Sequence, residues 1–294
     1  MSNVATSIRV RRSGGLGLSA SRTTSRVIAY VVLMVTGLVM AFPFIYMFLT
    51  SLKSPDEVVR VPPVLLPEVF RFSNYLEVLS IVPIGTQLVN SIIVTVGVVL
   101  GWLTTSTLAG YAFARLHFPG RNLLFMAYLG TLMVPFAVLI VPMYKLMVAF
   151  TWVDKLVSLI VPWIFTAYGT FLLRQAFMGL PKEIEEAAMI DGASRWSILL
   201  RVAVPLVRPA LATLATLGFL YAWNSFLWPQ IIISSSAMKV VSQGLVDLQA
   251  LYGGTRIDLV MAGSTMATLP TLIVFLLAQR YFIEGVATSG LSGR

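Results

Sequence analysis

Six stretches free of Asp, Glu, Lys and Arg, each at least 18 residues long, divide this sequence. They lie between Arg26 and Lys53 (26 residues), Glu77 and Arg115 (37) and Arg121 and Lys145 (23). The other three lie between Lys155 and Arg174 (18), Arg208 and Lys239 (30) and Asp258 and Arg280 (21). A charge at the centre of a bilayer costs about 2.5–3.5 kcal/mol on insertion scales. About 20 apolar residues wound as a helix cross the hydrocarbon layer. Each stretch therefore predicts one span. The 37-residue stretch is too short for two spans and a turn, so its first third, Ile81 to Asn90 with Pro83 and Gly85, is a lead-in segment. Composition agrees: 57% of the residues are hydrophobic and 11% charged, where a soluble domain has about 45–50% and about 25%. The predicted fold class is an all-α membrane protein with six transmembrane helices.

The charges between the spans predict orientation. An even number of spans leaves both termini on one side. Segments 1–26, 115–121, 174–208 and 280–294 hold 14 Lys and Arg against five acids. Segments 53–77, 145–155 and 239–258 hold seven of each sign. The net charge of +9 thus belongs to one face, and the positive-inside rule puts that face, with both termini, in the cytoplasm. The division expected along the chain is a disordered basic tail over 1–26, then a first span and outer loop over 27–85. A core over 86–285 follows, with a cytoplasmic segment at 180–205, and a Gly-rich tail over 286–294 ends the chain. The first stretch exceeds the 7–15 residues of a signal-peptide core, so it is an uncleaved anchor, and Arg11-Arg12 lies too far upstream to act as a twin-arginine signal.

Several chemistries are excluded. There is no cysteine, and His117 is the only histidine, so thiolate and multi-histidine metal sites are out. No G-x-x-x-x-G-K-[ST] loop occurs, so any ATP needed is bound by another chain. The spans carry neutral polar groups instead of charges, among them Asn90, Ser91, Thr104, Thr105, Ser106, Thr166, Tyr168 and Asn224, with the aromatics Trp163 and Trp223. Amides, hydroxyls and aromatic faces suit a neutral polyhydroxylated solute. Asn90, Tyr168, Asn224 and Trp223 are the candidate substrate-path residues. The competing role is interhelical hydrogen bonding, which such groups perform routinely. Gly97 and Gly101 form a G-x-x-x-G that permits close helix packing, and Trp152, Trp223 and Trp228 fall where interfacial indoles are expected. A solo secondary transporter or channel would be expected to show intramembrane ionisable groups or inverted repeats, and an intramembrane enzyme a nucleophile and base; none is evident.

Between the fourth and fifth spans, Pro181 suits the first helical position and Glu183, Glu185 and Glu186 complement the helix N-terminus. Gly192 suits a left-handed stop, and Ser194 caps a second helix running through Trp196 to Pro205. Ile184, Ala187 and Ala188 share one face of the short helix. A small-residue face flanked by Glu186 and Asp191 fits a groove on a separate soluble protein; a plain juxtamembrane helix fits equally well.

The run Glu186-Ala187-Ala188-Met189-Ile190-Asp191-Gly192-Ala193-Ser194, with Pro205 and Pro209, resembles the "EAA" signature of ABC-importer permease subunits. Residues 110–121, 171–175, 223–229 and 279–282 resemble the second permease subunit of the maltose-type carbohydrate importers. The resemblance implies a type I ABC-importer permease architecture in a bacterial-type cytoplasmic membrane. It further implies a sister permease subunit, two cytoplasmic ATPase subunits that bind ATP and Mg, an extracytoplasmic solute-binding protein and a carbohydrate substrate. No cofactor is expected in this chain and no catalysis. The short helix would be the coupling helix, with Glu186, Ala187, Ala188, Asp191, Gly192 and Ala193 at the ATPase. Gly253 and Gly254, near the end of the loop 234–256, would face the binding protein, and Gly290 to Arg294 would approach the ATPase interface.

Overall fold

The computed structural model describes residues 16–291, with side chains from 25 to 279. Among the described residues every regular element is helical. Those that build the bundle are α1 (Leu16–Thr50), α2 (Ser73–Ile81), α3 (Ile84–Arg115), α4 (Arg121–Gly130), α5 (Phe136–Ala149) and α6 (Val157–Ile160). They continue as α7 (Ala167–Met178), α8 (Lys182–Ile190), α9 (Arg208–Trp223), α10 (Leu227–Ile232), α11 (Val241–Tyr252) and α12 (Ile257–Leu291). Helix α1 begins inside the predicted tail 1–26, because nothing in residues 16–26 bars a helix, and α12 runs through most of the predicted tail 286–294. The Arg11-Arg12 pair and residues 292–294 of the predicted tail lie outside the described residues. The lead-in segment shrinks to Val82 and Pro83, and Asn90 stands in the second turn of α3.

Three helices are individually long and apolar enough to cross a membrane: Ser25–Thr50, Ile84–Arg115 and Ile257–Gln279. The other three charge-free stretches overlap bent pairs, the fifth stretch only in the second half of its pair, because Arg195–Leu206 carries Arg195 and Arg201 and lies before that stretch. Arg121–Met133 meets Phe136–Ala149 at 99°, Val157–Trp163 meets Ala167–Met178 at 44°, and Arg195–Leu206 meets Arg208–Trp223 at 79°. Proline accounts for the breaks. Pro135 forces Val134 into an extended conformation, and Pro162 sits in the 3₁₀ turn Val161–Trp163. Pro205 and Pro209 flank the kink at Val207; before it, Ile198–Ala203 is a π-helix where a regular helix is expected. Pro205 brings no N–H to the ladder and crowds the carbonyl four residues earlier, which favours the wider turn.

Helix α3 is the centre of the bundle. Its Gly97 and Gly101 abut Ile160 and Ile164, and Gly110 abuts Leu173 and the Arg174 backbone. The G-x-x-x-G therefore packs within the chain. The break at 164–166 frees carbonyls that cannot find water in a membrane. Helix α3 supplies the donors: Trp102 Nε1 donates to Trp163 O at 2.6 Å, and Thr105 Oγ1 donates to Ile164 O at 2.8 Å. One apolar core gathers Trp102, Phe177, Leu214 and Trp228, and a second gathers Val78, Ile84, Trp223, Leu248 and Leu259. Trp223 and Trp228 are thus core residues, not interfacial anchors. Their indoles donate to Ala267 O (3.0 Å) and Ser158 O (2.9 Å), partners an interface would have supplied as water or headgroups.

Segments 53–77, 145–155 and 239–258 meet at one end of the bundle. Asn74 donates to Ser51 O and Lys53 O, each at 2.9 Å. Arg256 holds Glu77 through both carboxylate oxygens, at 2.9 and 3.0 Å, and Asp258 at 2.9 Å. Asp154 accepts from the backbone N–H groups of Ser234 and Ser235. The Arg256 guanidinium holds the Glu77 carboxyl below the ordinary range, and the Ser235 and Ser234 amides do the same for Asp154. Helix α8 sits at the opposite end of α3.

Candidate functional site

Helix α8 forms for the reasons its sequence suggests. Pro181 stands at the cap, one residue before the first helical position expected of it, acids occupy the first turn, and Gly192 ends the helix at φ +82. Ala193 N–H closes the end by donating to Ala188 O at 2.9 Å, and Ser194 Oγ accepts from Ser197 N–H at 3.3 Å. Glu186, Ala187, Asp191 and Gly192 are exposed, while Ala188 and Ala193 are half-buried. Beside them, Ile190 is 87% exposed and Trp196 64%, with Ile184 and Leu200 also open. Ile184 and Ile190 belong to α8, outside every candidate span, whereas Trp196 and Leu200 belong to Arg195–Leu206, the first half of a bent pair.

Glu185 differs from its acidic neighbours. It is buried, forms an ion pair with Arg115 Nε at 2.8 Å and accepts from Tyr111 OH at 3.1 Å. Arg115 Nη2 also donates to Leu180 O at 2.6 Å, and the Tyr111 ring meets Phe177 edge-on. A buried charge requires such pairing. Sequence reasoning passed over this triad, although Tyr111 and Arg115 stand one turn apart at the end of α3. The signal was there in part: Glu185 is out of phase with the face shared by Ile184 and Ala187.

The proposed substrate-path residues do not form one site. Asn90 is buried and gives its amide N–H groups to Ala237 O and Lys239 O, each at 2.9 Å, so it ties α3 to the chain before α11. Asn224 and Trp223 line an open cleft, with Ser242, Thr268 and Thr271 set among Phe44 and Leu245. The Asn224 amide donates to Leu220 O in its own helix, which leaves its carbonyl oxygen free of that bond. Tyr168 is exposed and lies outside this lining. Gly253 follows α11 within reach of Gln249, and Gly254 stands in open space; most of the loop 234–256 is helix α11. His117 is exposed on the turn between α3 and α4.

Residues 97–288 match the family described as the inner membrane component of binding-protein-dependent transport systems. The chain is 34% identical to the arabinooligosaccharides transport system permease protein AraQ of Halalkalibacterium halodurans over 255 residues, covering 86% of this chain and 91% of the relative. It is also 34% identical to the sn-glycerol-3-phosphate transport system permease protein UgpE of Pectobacterium atrosepticum over 270 residues, covering 90% and 96%. Its fold is similar to a solved chain of a bacterial ABC transporter that imports the acidic polysaccharide alginate. There the TM-score is 0.78 and the identity 26%, over 89% of this chain and 98% of that one. A second alginate ABC transporter structure, in complex with a periplasmic protein bound to an alginate pentasaccharide, shares the fold at 15% identity and a TM-score of 0.60, over 87% and 94%.

Proposed function

Since this chain belongs to the family of inner membrane components of binding-protein-dependent transport systems, we propose that it is the permease subunit of an ATP-driven carbohydrate importer. It is a multi-pass membrane protein whose task is passage, and its substrate is a saccharide or a polyol-derived solute. The relatives named for arabinooligosaccharides and sn-glycerol-3-phosphate, and the alginate transporter, support that class. The uncharged cleft beside Asn224, which sets one amide and three hydroxyls among apolar side chains, is compatible with it.

The observation that carries the mechanism is the exposed α8 turn. Its Ile184–Ala187–Ile190 surface and the left-handed Gly192 stand outside the bundle and fit a groove on a soluble ATPase subunit that binds ATP and Mg. Glu186 and Asp191 would meet basic groups there. With α8 docked on a cytoplasmic ATPase and segments 53–77, 145–155 and 239–258 at the opposite end of α3, the basic face and both termini would lie in the cytoplasm, and the α11 end with Gly254 would face the solute-binding protein. A sister permease subunit completes the pathway.

Purification of the chain co-expressed with its ATPase subunit tests the docking. Glu186→Ala with Ile190→Asp is expected to reduce ATPase co-purification at least tenfold while expression and membrane insertion persist. Undiminished co-purification would overturn the assignment of α8 as the dock. The isolated chain is expected to hydrolyse no ATP.

A further inference from the structure

Three glutamates stand within four residues on α8, yet only Glu185 is withdrawn from solvent. Glu183 and Glu186 complement the helix N-terminus and remain exposed. Glu185 instead reaches the last residue of α3, Arg115, and the Tyr111 hydroxyl one turn earlier on the same face. Both charged side chains of the pair are 7% exposed. Burying two charges costs about as much as their attraction returns, so such a pair is a poor device for stability. It is a good device for register. Any sliding of α8 against α3 strands both charges without partners.

The attachments of α8 point the same way. Towards α7 it is joined through Gly179, Leu180 and Pro181. Towards α9 it is joined through the left-handed turn at Gly192, the π-helix Ile198–Ala203 and the kink at Val207, all of them soft connections. Helix α3 is different in kind. It runs 32 residues without proline or break, about 48 Å at 1.5 Å per residue. At its far end Asn90 binds the Ala237 and Lys239 carbonyls, and Ser91 Oγ accepts from Val241 N–H at 2.8 Å. Its middle is packed against the 157–178 pair through Gly97, Gly101 and Gly110.

We propose that α3 is the transmission rod of this subunit: Glu185 and Arg115 are positioning residues that make it follow the docked α8, and Asn90 passes its displacement to the outer segment 237–241. This rests on the reading of α8 as the ATPase dock. Glu185 acts through Arg115 and touches neither ATP nor solute.

The test uses the complete transporter in proteoliposomes with its solute-binding protein. It measures ATPase co-purification, ATP hydrolysis stimulated by loaded binding protein, and solute imported per ATP. Glu185→Gln is expected to retain the ATPase subunit yet lower solute imported per ATP at least tenfold. Glu185→Arg combined with Arg115→Glu is expected to recover most of that loss, a rescue that a merely space-filling role would not give. Asn90→Ala, far from the dock, is expected to show the same uncoupling with full ATPase co-purification. Should Glu185→Gln fail to assemble, Tyr111→Phe decides: it keeps the ring packing, removes one hydrogen bond, and is expected to lower the ratio about threefold. Import per ATP within twofold of the parent in assembled Glu185→Gln, or in assembled Tyr111→Phe where Glu185→Gln does not assemble, overturns the proposal. So does full coupling in Asn90→Ala. Failure of the unmodified chain to hold its ATPase would instead refute the docking reading on which this one rests.

Discussion

Gly101 brings α3 so near the 157–178 pair that an added methyl would lie 2.5 Å from Ile164 Cβ and 3.0 Å from its Cα. The second of these is backbone, so no rotamer change relieves it. Gly101→Ala is expected to destabilise the solubilised chain by about 1–3 kcal/mol, as overpacking does. Gly37→Ala, where nothing lies within 4 Å, is expected to be neutral. Thermal unfolding in one detergent compares the two, and equal midpoints would remove the packing role of Gly101. The G-x-x-x-G spacing made this glycine legible in the sequence. Gly192 was legible too, since a stop followed by a Ser cap admits few other conformations. Asn90 and the two tryptophans were not. An amide in a span looks the same whether it meets a solute or two carbonyls, and an indole near a boundary looks the same facing headgroups or a core. Only the partner's position separates those roles, and Ala237, Lys239, Ser158 and Ala267 are remote in the chain from the residues they bind.

Helix α2 is joined to the start of α12 by the pairing of Glu77 with Arg256, at the end of the bundle opposite α8. Because the folded chain holds the Glu77 carboxyl below its ordinary pKa, the pairing stabilises fully above the ordinary carboxylate range. That contribution fades as pH falls through the lowered value. Partial exposure limits it to about 0.2–1 kcal/mol. Glu77→Gln is expected to lower the unfolding midpoint slightly at pH 7 and to reduce the fall of stability between pH 5 and 3. Asp154 and Glu57, lowered in the same direction, preserve part of that fall. An unchanged acid slope would show that the Arg256 bridge is not formed in solution. At this scale the charge-free stretches located the three long apolar helices and two of the bent pairs, because charge exclusion is a property of the stretch as a whole; the Arg195–Leu206 half of the third pair escaped them through Arg195 and Arg201. They could not show that three of them break. Pro135, Pro162 and Pro205 were visible, but proline in a span signals a possible bend without its angle, which depends on the neighbour that accepts the freed carbonyls.

Taken whole, the molecule sorts its loops to two ends of α3, with Arg115, Glu185 and α8 at one and Asn90, Asp154 and Arg256 at the other. A reporter fused after Arg294 is expected to register in the cytoplasm, and one inserted at Gly254 outside it; the reverse pattern would overturn the orientation. The alternation of basic and neutral segments foretold that sorting, whereas the Glu185–Arg115 pair, formed between charges from segments that both belong to the basic face, left no trace in it. Helix α1 has none of its most apolar window buried against the rest of the chain, while no half of a bent pair exceeds 16 residues. A segment that owes nothing to its neighbours can leave the translocon for lipid as soon as it is made. Halves too short to cross alone, with a bend exposing carbonyls between them, have no such independence. The bend at 164–166 is completed only by Trp102 and Thr105, which are synthesised before it. Biogenesis therefore has an order written into it: the first helix inserts alone, α3 must wait in place, and the broken spans settle against it afterwards.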